Sequence, residues 1–273
     1  MTVIVAGGGI AGMTMALTCH ELGIPVVVHE SVDHLRPQGV GINLQPNAVR
    51  ELFDLGLEKQ LEDIGVPAQE WALVGRNGND VWAEPRGREA GYLWPQYSIH
   101  RGHLQMLLYQ EVIKRLGSSA VTTGSRLVGY HSGNGTIQAS FQNLATDTSI
   151  VEGALLIGDA AHVMYPVGSN GASQAIVDAR MLGAAMKEHG INVAALESYE
   201  GAMLKDLNEL VLRNRGAGPI GILGIVEDRC GGIFDNIEDV IPRSEIEDYM
   251  ARYKTAAGFA VETLNNAPKT IQV

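Results

Sequence analysis

The chain has 273 residues, with 20 Lys+Arg against 31 Asp+Glu, a formal net charge of −11, 45% hydrophobic and 19% charged residues. This composition excludes a disordered or collagen-like chain, and at roughly 150 residues per domain the length allows one large domain or two small ones. The acidic surplus argues against nucleic acid as a partner, because phosphate neutralisation needs Lys and Arg concentrated on one face.

In chain order, Thr2–Ala6 reads as a short buried strand and Gly7–Gly12 as a glycine turn. Met13–Leu22 reads as a helix stopped by Gly23, and Val26–His29 as a second strand ending at Glu30. The sum is a βαβ unit. A helix is expected over Asn47–Gly56. Trp71–Val74 and Val81–Ala83 suit a hairpin across Arg76-Asn77-Gly78-Asn79, whose Asn-Gly pair favours a tight turn. Gly102–Leu116 has an amphipathic helical pattern, and Val121–Thr123, Leu127–Tyr130, Ile137–Phe141 and Ala154–Ile157 are strand candidates. Ser173–Lys187 and Ala194–Asn214 read as helices, and the tail after Pro219 is mostly helical in pattern.

Cys19 and Cys230 have no metal-ligand spacing, so neither a metal site nor a disulfide framework is expected. No apolar run nears the ~20 residues of a membrane span, and no basic stretch precedes the first apolar segment. A cytoplasmic protein with no membrane span is the expectation. Glycine is in excess, at 33 residues. The glycines bunch at Gly7–Gly12, Gly39–Gly41, Gly168–Gly171 and Gly216–Gly224, a pattern that suits backbone approaching a ligand.

The sharpest signal is G-x-G-x-x-G at Gly7, Gly9 and Gly12, between a strand and a helix. The first glycine permits the turn, the second lets backbone approach a pyrophosphate, and the third allows close helix–strand packing. Glu30 lies 18 residues beyond Gly12, placed to accept hydrogen bonds from the hydroxyls of an adenosine ribose. A glycine-rich turn with an unrelated strand-ending glutamate is the plain alternative. The unit alone does not separate NAD from FAD.

Three further segments do. They are Arg36-Pro37-Gln38-Gly39-Val40-Gly41-Ile42, then Ser98-Ile99-His100-Arg101-Gly102-His103-Leu104, then Gly158-Asp159-Ala160-Ala161-His162 with Pro166-Val167-Gly168-Ser169-Asn170-Gly171-Ala172. In this order they resemble the FAD-dependent aromatic monooxygenases of the para-hydroxybenzoate hydroxylase superfamily. The stretch Glu84-Pro85-Arg86-Gly87 through Pro95–Gly102 is especially similar to the salicylate and phenazine-carboxylate hydroxylase branch.

The resemblance implies that Gly7, Gly9, Gly12 and Glu30 hold the ADP half of FAD, that Arg36, Gly41 and Arg101 lie along the cofactor, and that Asp159 meets its ribityl chain. Gly168, Asn170 and Gly171 then turn backbone N–H groups and a helix N-terminus toward the flavin. It further implies NAD(P)H as co-substrate, molecular oxygen, a small aromatic substrate, and hydroxylation through a flavin hydroperoxide with no side chain making the bond. His162 is expected to pack locally rather than catalyse, His100 and His103 lack a third ligand, and Met13, Met15, Met181 and Met186 suit the core.

One departure stands out. The strand Ala154–Ile157 leads through Gly158 directly into Asp159, as though two family strands that end alike were fused, without the segment that carries most of the substrate-covering sheet. The expected fold is therefore α/β: a Rossmann-like FAD-binding domain over residues 1–190 with a parallel central sheet and a β-meander near residues 121–142. A vestigial hairpin near 68–99, a junction near 158, a substrate domain largely missing and a helical region over 191–273 complete it. The hairpin around Trp71 and Trp82 is expected to have an exposed edge. The same departure leaves a non-catalytic FAD-binding remnant, or an uncoupled NAD(P)H oxidase, as alternatives to a hydroxylase.

Overall fold

The computed structural model describes residues 1–133, 136–142, 148–151, 153–215, 217–256 and 260–272. Strand β1 (Val3–Ala6), helix α1 (Ile10–Glu21) and strand β2 (Val26–His29) form the βαβ unit, with β1 and β2 parallel and Val3 opposite Val26. The run of β-branched residues gives both strands, and α1 is buried from Gly12 to Cys19. Strand β3 (Gly41–Leu44) then leads into helices α2 (Pro46–Asp54) and α3 (Glu58–Ile64) and strand β4 (Gly65–Pro67). Pro46 at the first turn of α2 costs no hydrogen bond there.

Strands β5 (Glu70–Val74) and β6 (Asp80–Pro85) make the expected hairpin, with Gly78 at φ +85° in the turn. Strand β7 (Tyr97–His100) pairs antiparallel with both β3 and β4, a three-stranded sheet that pattern reading does not anticipate. Helix α4 (Arg101–Leu116) follows, then strand β8 (Val121–Thr122), which joins the parallel sheet in the order β1-β2-β8. The meander is β9 (Leu127–Gly133), β10 (Thr136–Phe141) and β11 (Thr148–Val151). It therefore sits later than expected, because Val121–Thr122 pairs in parallel with Val28–His29 instead.

Beyond it come helices α5 (Asp159–His162), α6 (Gly171–His189), α7 (Val193–Arg215), α8 (Ile222–Cys230), α9 (Arg243–Ala256) and α10 (Val261–Asn266). Residues 154–157 do not form the expected strand. They keep a strand's alternation, with Leu155 and Ile157 packed against the cluster of α1, α6 and α7 and Leu156 64% exposed, but they pair with no strand among the described residues. Alternation alone does not make a strand without a ladder partner.

Three apolar clusters hold these elements. The first joins Met13 and Leu17 of α1 to Val28, Leu44, Leu52, Leu104 and Leu108. Another joins Met15 and Cys19 to Ala179, Leu182 and Met186 of α6 and Tyr199 of α7. Helices α1 and α6 cross closely: a Cβ on Gly183 would stand 2.2 Å from Thr18 Cγ2. Alongside, fully buried Arg180 of α6 meets Glu21 and Glu51, which ties α6 to α1 and α2.

The last cluster covers one face of the hairpin, which pattern reading does not anticipate, while among the described residues no third strand pairs with either edge, as expected. Leu73, Val81 and Trp82 are buried against Ile222, Val226, Phe234, Ile246 and Met250 of the C-terminal region. The hairpin tip is tied down as well, since the Asn77 and Asn79 side-chain amides donate to the Phe234 carbonyl at 2.6 and 2.8 Å. One face of β5–β6 is thus covered by helices, the usual protection for a short antiparallel pair.

Candidate functional site

The glycine turn is built as its spacing requires. Gly7 sits at φ +117° and its N–H donates to the His29 carbonyl at 2.7 Å, joining the ends of β1 and β2. A Cβ on Gly12 would lie 2.0 Å from the Gly7 carbonyl oxygen, so only glycine fits beneath the turn. A Cβ on Gly9 would have no heavy atom within 4 Å, which leaves that backbone open at the N-terminus of α1.

Glu30 closes the same end. Its Oε2 accepts the Gly8 N–H at 2.6 Å, and its Oε1 accepts the Val32 N–H at 2.9 Å and the Ser31 hydroxyl at 3.0 Å. Burial pushes the carboxyl up, but the Val32 and Gly8 N–H groups and Ser31 outweigh it and hold Glu30 below the ordinary glutamate range. A folded value below the unfolded one means stability present above the unfolded value and lost as pH falls through the folded one. Glu30→Gln is therefore expected to flatten the acid limb of a urea-unfolding series; identical acid limbs in the two proteins would count against this account.

Helix α4 brings the arginine segment alongside. A Cβ on Gly102 would stand 2.3 Å from the Gln38 nitrogen, and the Arg101 N–H donates to the Val40 carbonyl at 3.0 Å. The Arg101 side chain is exposed and reaches the Gln38 carbonyl at 3.5 Å. One turn later Gln105 donates to the Gly8 carbonyl at 2.8 Å, a link that sequence reading misses because a helical glutamine has no signature. Gly41 opens β3 opposite His100, whose Nε2 lies 3.1 Å from the Gly39 carbonyl oxygen. Arg36 is exposed and makes no hydrogen bond or ion pair among the described residues, so it is not drawn into this cluster.

The remaining motif arrives from the far end of the chain. Gly158, at φ +60°, seats against α1: a Cβ there would meet the Ala11 Cβ at 2.9 Å. Asp159 is exposed, and its Oδ1 lies 3.7 Å from where a Cβ of Gly171 would stand. Gly168 and Asn170 are buried just before α6, with Asn170 at its N-cap position. The Ser169 hydroxyl takes a long 3.4 Å contact from Asn43 of β3, so this turn lies beside the second sheet.

Behind the turn is a buried polar group that motif reading does not single out. Asp178, fully buried, accepts the Gly158 N–H at 2.8 Å, His162 Nε2 at 2.5 Å and the Gln174 amide at 3.0 Å. His162 is thus locked behind Gly158, as a packing histidine. Burial pushes its imidazole down, but the hydrogen bond and charge of Asp178 outweigh this and hold it above the ordinary value of 6.5. A raised folded value gives stability that is full below the unfolded value and lost as pH rises through the folded one. His162→Gln should therefore narrow its stability gap to the native protein as pH climbs from about 5 to about 9, measured by urea unfolding. A gap that widens with pH would refute this.

A cavity opens beside the Val167–Ser169 turn, and a second cavity shares Gln45, Glu84, Arg86 and Gln96 with it. Arg86 pairs with Glu84 at 2.8 Å and lies over Trp71 at 4.7 Å. Among the described residues no helix is long and apolar enough to cross a membrane, and no group of three His, Cys, Asp or Glu could hold a metal ion.

Comparison with known proteins agrees with this arrangement. Residues 2–38 and 110–202 each match a family described as an FAD binding domain. The chain is 43% identical over 159 residues to phenazine 1,6-dicarboxylic acid hydroxylase of Lysobacter antibioticus, covering 57% of this chain and 39% of that protein. It is 27% identical over 251 residues to salicylate hydroxylase of Pseudomonas putida, covering 82% and 54%. The chain thus spans less than two thirds of the length of these curated relatives. In fold it is similar to Klebsiella pneumoniae HpxO complexed with FAD and uric acid, with a TM-score of 0.65 at 16% identity, over 97% of this chain and 95% of that one. In sequence, then, the chain is similar to FAD-dependent hydroxylases, two of its segments match FAD binding domains, and its fold is that of solved flavoproteins.

Proposed function

We propose that the chain binds FAD across the Gly7–Gly12 turn and the Gly168–Gly171 turn and serves as an NAD(P)H-dependent aromatic-ring monooxygenase. The observation that carries this reading is the seating of Gly158 on Ala11, which brings Asp159 and the N-terminus of α6 to the same end of the parallel sheet as the glycine turn. The residues fit the cofactor: Gly9 leaves backbone open to a diphosphate, and Glu30 stands at the end of β2 where a ribose would lie. Bound FAD would supply the redox chemistry, taking electrons from NAD(P)H and passing them to molecular oxygen.

The protein's own part is to bind and orient. The N-terminus of α1 meets the diphosphate, with Arg101 as a nearby exposed positive charge and Asp159 toward the ribityl chain. The N-terminus of α6, with Gly168, Asn170 and Gly171, offers partial positive charge toward the flavin ring. Trp71, Pro219 and Met250 give the adjoining cleft apolar surface for a small aromatic substrate and against water. A cytoplasmic setting belongs to the same reading.

The test is the visible absorbance spectrum of the purified chain. Near-stoichiometric flavin, with NAD(P)H oxidation on adding an aromatic substrate, is expected; a folded, colourless chain that takes up no added FAD would overturn the proposal. A second reading rests on exposure around the motif, where Leu156, Val163 and Tyr165 are 64%, 72% and 61% exposed. If the chain lacks a substrate-covering segment there, it is an FAD-binding remnant or an NAD(P)H oxidase that releases peroxide. Peroxide equal to NAD(P)H consumed would favour that alternative, and hydroxylated product would exclude it.

A further inference from the structure

The cleft beside Val167–Ser169 encloses about 470 Å³ counted to its open mouth. Gln96 lines both it and the second cavity, and the residue is 6% exposed. Its backbone is clamped from two sides. The Ala68 N–H donates to the Gln96 carbonyl at 2.8 Å, and a Cβ on Gly87, at φ +53°, would stand 2.5 Å from the Gln96 nitrogen. The side-chain amide, by contrast, makes no hydrogen bond among the described residues. Nor is it sealed: Gln45 Oε1 in the same wall is shut off from solvent, whereas both Gln96 amide atoms keep accessible surface. A buried residue with a bare, reachable amide opens on the cavities it lines. A ligand that matches both atoms displaces water from them without loss of hydrogen bonds, and one that matches neither strands the amide.

The chemistry of the wall narrows the ligand. A primary amide presents an acceptor, Oε1, beside a donor, Nε2, and its complement is an edge with N–H beside C=O. Glu84 and Arg86, which line the same two cavities, are paired at 2.8 Å. A ligand carboxylate meets Glu84 as well as Arg86 there, and capturing the guanidinium means breaking a pair whose carboxylate is buried. A neutral ring has no such obstacle, and Trp71, Pro219 and Met250 give its faces apolar surface.

We propose that Gln96 is a specificity-determining residue of this cleft, its side-chain amide pairing with the lactam edge, N–H beside C=O, of a neutral aromatic ring. The inference rests on the hydroxylase reading and deepens it, by naming the class of ring the cleft receives.

Isothermal titration calorimetry of the purified chain with 2-quinolone, its N-methyl derivative and 2-naphthoate, with and without saturating FAD, tests it. The native chain is expected to bind 2-quinolone roughly tenfold more tightly than either analogue. Gln96→Met keeps the bulk and removes the amide. It should bring 2-quinolone down to the level of the N-methyl compound and leave that compound unchanged; circular dichroism checks that it folds. In the native chain the NMR resonance of the Gln96 side-chain amide should shift on adding 2-quinolone, a readout that decides even if the variant does not fold. Equal binding of quinolone and its N-methyl derivative, tighter binding of naphthoate, no binding of any probe, an unmoved amide resonance, or a preference unchanged in a folded Gln96→Met would overturn the proposal. FAD uptake by the same preparation separates the two readings: uptake without the quinolone preference sinks this inference alone, and the preference without uptake sinks the flavin reading alone.

Discussion

Replacing Gly12 by alanine is expected to abolish FAD retention and to destabilise the fold by about 2–3 kcal/mol, whereas Gly9→Ala should fold normally and still lose FAD affinity by roughly tenfold or more. The two glycines differ in what surrounds them. A Cβ at Gly12 would stand 2.0 Å from the Gly7 carbonyl oxygen and 3.0 Å from Val5 Cγ1. The nearer atom is backbone, in a turn whose first residue is already at φ +117° and hydrogen-bonded to His29. Nothing there yields cheaply, so the cost falls on folding. A Cβ at Gly9 meets nothing, and its φ of −75° suits any residue. Its cost appears only when a diphosphate approaches. Urea unfolding and FAD titration on both variants check the split. Equal stability of Gly12→Ala and the native chain would mean the turn is not packed as described, and unchanged FAD affinity of Gly9→Ala would move the diphosphate elsewhere.

The same contrast explains what was legible in the sequence. Gly7, Gly9 and Gly12 announce themselves because a tight turn, an open backbone and a close helix–strand contact each forbid a side chain at a fixed spacing. The hairpin was legible through Asn77-Gly78, and helices α4, α6 and α7 through long runs of helical pattern. Local chemistry suffices for such features.

What was missed depends on partners far along the chain. Strands β3, β4 and β7 are short, and they become strands only because residues 41–44, 65–67 and 97–100 meet in space. Val121–Thr122 and Ala154–Ile157 look alike in pattern, yet the first finds Val28–His29 as a parallel partner and the second is assigned none. The cover over one face of the hairpin comes from residues more than a hundred positions later, so the burial of Trp82 appears only once Phe234 and Met250 are brought against it. Gln105 carries no motif, and its role appears only once the Gly8 carbonyl it meets is in place.

Asp178 is the extreme case of a residue hidden from pattern reading, and its removal is expected to be the most damaging single change in the site. Asp178→Ala should cost about 3–5 kcal/mol, because it strips the partner from a buried charged pair. His162 Nε2, the Gly158 N–H and the Gln174 amide all converge on this one carboxylate, which is fully buried. No solvent reaches in to replace it. Asp178→Asn keeps an oxygen for one donor but loses the charge, so a smaller cost of about 1–3 kcal/mol is expected.

The two variants also separate structure from function. Gly158 holds its φ of +60° with its N–H on Asp178, and the next residue is Asp159, aimed toward Gly171. Loosening the first hydrogen bond should therefore slacken the whole turn, and FAD affinity should fall in Asp178→Asn even where the chain stays folded. The imidazole of His162 gives an independent readout. With the carboxylate charge gone, burial is left as the main influence, and the His162 titration should move from above its ordinary value to below it. Titration of the His162 resonance by NMR, paired with urea unfolding, checks both statements. A His162 titration unmoved in Asp178→Asn would show that Asp178 does not carry the charge that holds it, and full FAD affinity in that variant would free the Gly158–Asp159 turn from its dependence on Asp178.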